Sequence, residues 1–261
     1  ARPAGRQVLA IGADGVPRPV AGQGAPVGAD DLKAVTSLAC GPAGTLWVAD
    51  PTTGQVWALA PDGRWAAAAG AGSRVEAGDT TAFAINQPAG VAFGPDGALY
   101  IGEVGLSQVR RFADGALTTF AGTSGGYAGD GGPAAAAQLA GPAALSFAPD
   151  GTLLIAESAG QRIRAIAPDG TVRTVLTGRF IGGQAVEPGA QQPAVGFRIP
   201  NPTGVAAGPG GVVHLISSDS NQLLRFTPGA DGGRIEALAG RHRPEAGEVF
   251  SPSGYLDRDE A

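Results

Sequence analysis

Gly97-Ala-Leu-Tyr-Ile-Gly-Glu103 decides how this chain is read, because it recurs. Gly44-Thr-Leu-Trp-Val-Ala-Asp50 and Gly151-Thr-Leu-Leu-Ile-Ala-Glu157 repeat it closely, and Gly211-Val-Val-His-Leu-Ile-Ser217 repeats it more loosely. The copies start 53, 54 and 60 residues apart. Two further markers keep the same step. Gln followed by an apolar residue stands at Gln7, Gln55, Gln108 and Gln222, with Arg162 in the remaining copy; Asp-Gly pairs begin at Asp14, Asp62, Asp114, Asp169 and Asp231. Three independent signals in one register identify an internal repeat.

Working outward from Gly97, each copy reads as four short strands. Val91-Ala-Phe93 leads into Gly94-Pro-Asp-Gly97, and Leu99-Tyr-Ile101 follows. Val109–Phe112 then leads into Asp114-Gly115, and Leu117–Phe120 closes the unit. Apolar runs of this length, broken by Asp-Gly, are hairpin signals because Gly accepts the positive φ that a tight turn demands. Four antiparallel strands per repeat predict an all-β fold, a β-propeller of four-stranded blades. Complete blades are expected at about 34–70, 86–122, 140–178 and 201–240. Residues 6–22 read as the last two strands of a blade and 247–261 as the start of one. The count therefore predicts five blades in a single domain over 1–261, with six, completed by further sequence, as the alternative.

Composition agrees. Of 261 residues 44 are Gly and 21 Pro, which rules out a helical bundle, while 43% hydrophobic content is too much for a disordered chain. The net charge of −5, with both signs interspersed, gives no footprint for nucleic acid. No apolar run approaches the roughly 18 residues of a membrane span, so no membrane insertion by this segment is expected. The chain has no Met, which predicts a processed protein or a module of a larger one.

The stretch Gln87–Gly122, with Pro-x-Gly-Val-Ala, Asp-Gly-x-Leu-Tyr-Ile and Thr-Thr-Phe-Ala-Gly, resembles an NHL repeat. The connector Ala121–Pro133 and the following Gln138-Leu139 resemble the long linker of bacterial and teneurin-type NHL propellers. The family's Asn-x-Arg-Ile survives only as Gln161-Arg-Ile163. The resemblance implies a rigid ring whose loops recognise a protein partner.

Candidate site residues follow from the repeat. Asp50, Glu103 and Glu157 stand where the second strand meets the loop to the third, and Asp219 lies two residues beyond the equivalent Ser217. In a propeller they fall at one end of the ring, where converging oxygens suit a hard cation such as Ca²⁺. The competing reading is that each carboxylate caps its own loop. The Gly-rich connector adds Tyr127 and Asp130. It lacks the Lys of a phosphate-binding loop. Cys40 holds the slot of Phe93 and Phe147, a core position, and His214 that of Trp47 and Tyr100. With only His214 and His242 in the chain, neither a His-rich zinc site nor a Ser-His-Asp triad is evident. The sequence thus points to non-enzymatic recognition without a cofactor; the alternative is a metal-dependent propeller enzyme of lactonase or lyase type.

Overall fold

The computed structural model describes residues 8–11, 17–21, 34–70, 85–177, 189, 191–195, 197 and 199–240. The expected 247–261 segment and His242 lie outside them. The chain opens with a hairpin, β1 (Val8–Ile11) and β2 (Pro17–Ala21). Four four-stranded units follow. The first blade is β3 (Ser37–Cys40), β4 (Leu46–Asp50), β5 (Gln55–Leu59) and β6 (Trp65–Ala69). The second is β7 (Pro88–Phe93), β8 (Leu99–Glu103), β9 (Gln108–Ala113) and β10 (Ala116–Ala121). The third is β11 (Pro142–Phe147), β12 (Leu153–Glu157), β13 (Arg162–Ile166) and β14 (Val172–Thr177). After β15 (Gln191–Pro193), the fourth is β16 (Pro202–Ala207), β17 (Val213–Ser217), β18 (Gln222–Thr227) and β19 (Arg234–Gly240). Each is an antiparallel meander in chain order, and β15 adds a fifth strand beyond β19. The first strands β3, β7, β11 and β16 contact one another in succession, as the innermost strands of a propeller must.

The turns follow their residues. In Gly94–Gly97 the Gly97 N–H donates to Gly94 O, and Asp96 Oδ1 accepts from Ala98 N at 3.2 Å. Asp114 and Gly115 both have positive φ, 50° and 72°, the two-residue hairpin geometry that Asp-Gly favours.

Three apolar seams join the blades. Ala49 and Val56 of the first blade meet Val91, Leu99 and Ile101 of the second. Val109 and Ala121 of the second meet Leu145, Leu153 and Ile155 of the third. Ile163 and Leu176 of the third meet Leu215, Leu224 and Ile235 of the fourth. Strand alternation sends one set of residues to each neighbour. Fully burying one such Leu or Ile stabilises the fold by about 1.5–3 kcal/mol. Trp47 meets Phe93 edge-on at 5.7 Å, and Tyr100 meets Phe120 and Phe147, each at 4.9 Å. Cys40 departs from its expected core slot and is exposed. It stands on the face of the first blade turned away from the second, which no described blade covers.

Candidate functional site

The second strand of each blade ends at an equivalent residue: Asp50, Glu103, Glu157 and Ser217. All four are fully buried, and each is held by its own blade. Asp50, the shortest acid, caps its loop: Oδ1 accepts from the Thr52 and Thr53 N–H groups at 3.0 and 3.3 Å. Glu103 reaches further. Its Oε1 accepts from Asn86 N at 2.6 Å and its Oε2 from Arg110 Nη1 at 3.2 Å. Ser217 Oγ donates to Pro200 O at 2.5 Å. Asn86 and Pro200 both lie just ahead of the first strand of their blade, so these side chains fasten the incoming chain to the end of the second strand.

Glu157 is the exception. Neither carboxylate oxygen has a hydrogen-bond partner. Arg164 Nη1 stands 3.7 Å from Oε1 and Arg162 Nε 3.8 Å from Oε2. Burial pushes this carboxyl up to about 7, against the pull of Arg164 and Arg162. Arg164 is itself fully buried; its Nη1 donates to Gln138 O at 3.2 Å and its Nη2 lies 2.6 Å from Asp130 Oδ1.

The connector is thereby joined to the site. Asp130 Oδ2 accepts from Thr174 N at 3.1 Å, and Tyr127, 56% exposed, carries the Arg162 guanidinium 4.1 Å above its ring. Tyr127 and Asp130, read from sequence as candidate binders, thus clamp the connector to the third blade through two Arg side chains. Those Arg residues were the part sequence reasoning missed. A signal existed: Arg110 and Arg164 each stand seven residues beyond a buried Glu, whereas Trp57 follows Asp50 and Leu224 follows Ser217 at that spacing. Where the long acid is present, an Arg accompanies it, half-buried in Arg110 and fully buried in Arg164, as desolvated charge requires.

Asp219 stands apart from these residues. It is exposed, and its Oδ1 accepts from Asn201 Nδ2 at 2.9 Å and from Ser218 Oγ. Among the described residues no group of three or more His, Cys, Asp or Glu side chains lies close enough to hold a metal ion. The donor set expected for Ca²⁺ is thus distributed one per blade, with Glu103 and Glu157 facing cations of their own sheet. The same end of the ring presents Leu106, 47% exposed, in the second blade's loop between its second and third strands. A cleft of about 270 Å³ lies elsewhere, on the rim of the fourth blade, beside Arg225, Glu236, Asp231 and Gln191. His214 lies on a strand of that blade, opposite Arg225 in the sheet register. No helix is long and apolar enough to cross a membrane, among the described residues.

No protein-family model matches the sequence, and no curated protein does. Solved structures do resemble the fold. Virginiamycin B lyase from Staphylococcus aureus, determined with quinupristin, aligns over 88% of this chain and 62% of its own, at 16% identity and a TM-score of 0.52. A streptogramin B lyase aligns over 93% and 64%, at 18% identity and 0.54. A chain of a nidogen/laminin complex aligns over 88% and 68%, at 13% identity and 0.56. The chain therefore spans less than two thirds of the length of the two lyases it matches. At these identities the likeness establishes the architecture: the chain folds as a β-propeller.

Proposed function

We propose that this protein is a recognition propeller of NHL-like type, a module that binds a protein partner through the ring end carrying Leu106, Tyr127 and Arg162. One observation carries the reading. Asp50 and Glu103 are buried and hydrogen-bonded within their own blades and Glu157 is buried facing Arg162 and Arg164 of its own, while exposed apolar and aromatic groups stand on loops pinned by backbone hydrogen bonds. Rigid aromatic anchors beside an Arg are the side chains that dominate protein interfaces. The resemblance to a nidogen/laminin chain supports binding as a use of this architecture.

A photo-crosslinking residue placed at 106 or 127 in the cells that make the protein tests this. The reading expects one adduct of the same mass from both positions and none from position 64, which lies in a distant turn. Absence of any adduct, or equal labelling from all three positions, overturns it.

The second reading is a metal-dependent propeller enzyme, lactonase or lyase, and the two lyases among the similar structures favour it. It requires Asp50, Glu103 and Glu157 to share one ion, with Ca²⁺ the fitting class. Chelation would then lower the melting temperature by the amount ligand linkage dictates, and each single Ala variant would abolish that shift together with turnover.

A further inference from the structure

The loops at the recognition end hold their backbone in a strained shape. The residue just before the third strand has positive φ in every blade: Gly54 (68°), Ser107 (56°), Gln161 (50°) and Asn221 (51°). The residue just before the first strand does the same in the second, third and fourth blades, as Gln87 (56°), Gly141 (67°) and Asn201 (44°). Both sets lie at one end of the ring, since Val104 N donates to Gln87 O and Ser218 N to Asn201 O. Left-handed backbone is unstrained for glycine and costly for a residue with a Cβ. Gly54 and Gly141 show that both positions accept glycine, yet the other blades keep Gln, Ser or Asn there. Strain retained where a relaxed residue is available points to side chains with a use.

That use is not internal. Asn201 Nδ2 donates to Asp219 Oδ1 at 2.9 Å, but the side chains of Gln87, Ser107, Gln161 and Asn221 make no hydrogen bond among the described residues. Gln87 and Asn221 are exposed, and Ser107 and Gln161 are half-buried. Charge separates the two ends of the ring. The loops between second and third strands, 51–54, 104–107, 158–161 and 218–221, contain one charged residue, Asp219, which Asn201 and Ser218 engage. Arg162 turns its charge toward Glu157 and the Tyr127 ring. At the opposite end the turns expose Asp62, Arg64, Asp96, Asp114, Asp169 and Asp231.

We infer, resting on the recognition reading, that this end binds an uncharged, hydrogen-bonding stretch of its protein partner, with Gln87, Ser107, Gln161 and Asn221 as specificity-determining residues. A carboxamide both donates and accepts, so it reads peptide groups and Ser, Thr, Asn or Gln side chains without the desolvation that a charge demands. A partner segment rich in carboxylate or phosphate finds no Lys or Arg in these loops.

The test uses the photo-crosslinking residue at 127, in extract of the cells that make the protein. Raising salt from about 50 to about 500 mM shortens the reach of charge–charge forces from more than about 10 Å to less than about 5 Å. The adduct yield should change by less than about twofold across that range. Combining Ser107→Gly, Gln161→Gly and Asn221→Gly should lower the yield at least about tenfold, because several hydrogen bonds to the partner go at once. The urea midpoint of that variant should stay level or rise, since glycine relieves the left-handed strain. A yield that falls about tenfold or more with salt overturns the inference. So does a glycine variant that keeps its adduct, or one whose urea midpoint drops, which would make these residues servants of the fold. No adduct at either salt from the protein with unaltered loops overturns recognition at this end, and this inference with it.

Discussion

Replacing Glu157 by Gln should remove a specific component of the protein's pH dependence. The folded carboxyl titrates at about 7 against an ordinary 4.5. Between these values the folded state holds a proton that the unfolded chain has released, so stability falls as pH rises across this window. Below about 4.5 the group is protonated in both states and costs nothing; above about 7 the full penalty is present. At 1.36 kcal/mol per tenfold change in acid dissociation, the penalty amounts to about 3 kcal/mol. The Gln side chain never ionises and carries no such penalty. Urea unfolding at pH 4.5, 5.5, 6.5 and 7.5, with m-values compared, measures the difference between the two proteins. That difference should shift in favour of the Gln variant by about 3 kcal/mol from the lowest pH to the highest. Asp150 and Asp169, held below the ordinary carboxylate range by the Thr152 and Thr171 N–H groups, act only at lower pH and cancel in the comparison. Asp130, on the other side of Arg164, contributes to the upward push, so Asp130→Asn should narrow the window. A stability difference independent of pH from 4.5 to 7.5 would refute the assignment of Glu157 as a carboxyl isolated by burial.

Other perturbations address the blades. A Cβ on Gly102 would fall 2.3 Å from Pro142 O of the third blade, so Gly102→Ala should destabilise by about 1–3 kcal/mol, read as a lowered urea midpoint. Tyr100→Ala, which vacates a site shared with Phe120 and Phe147, is expected to cost about 3–5 kcal/mol. Tyr100→Phe, which loses only the hydroxyl's bond to Asp96, should cost about 0.5–1.5 kcal/mol. Asp50→Ala and Glu103→Gln act in different blades, so the double variant should lose the sum of the single losses within about 0.5 kcal/mol. Strong non-additivity would instead indicate a shared ligand.

Much of this architecture was legible because the repeat is marked three ways. The expected units at 34–70, 86–122, 140–178 and 201–240 enclose the observed sheets to within a few residues. Strand β15 was not anticipated: Gln191-Gln-Pro193 has no alternation of its own and is held by pairing with Glu236, Ile235 and Arg234. The acids were found by position, but position alone could not tell an ion cage from a set of separate fasteners. That distinction lies in contacts to Asn86, Arg110 and Arg164, which come from other strands and from the incoming connector. The exposure of Cys40 was equally unreadable, since it depends on what covers the first blade and not on the repeat.

The connectors have a further consequence, for how copies of this protein coexist. An outermost strand offers a row of free N–H and C=O groups that could template another chain. In the third blade Gly131 and Gly132 exchange backbone hydrogen bonds with Val172, and Pro133 bridges Thr171; in the fourth, β15 lies along β19 and ends in Pro193. These two connectors thus end as guard strands, each with a proline where a further strand would need a donor. The Gly-rich and Pro-rich composition that first set this chain apart therefore also shields the outer edges of the third and fourth blades against strand addition.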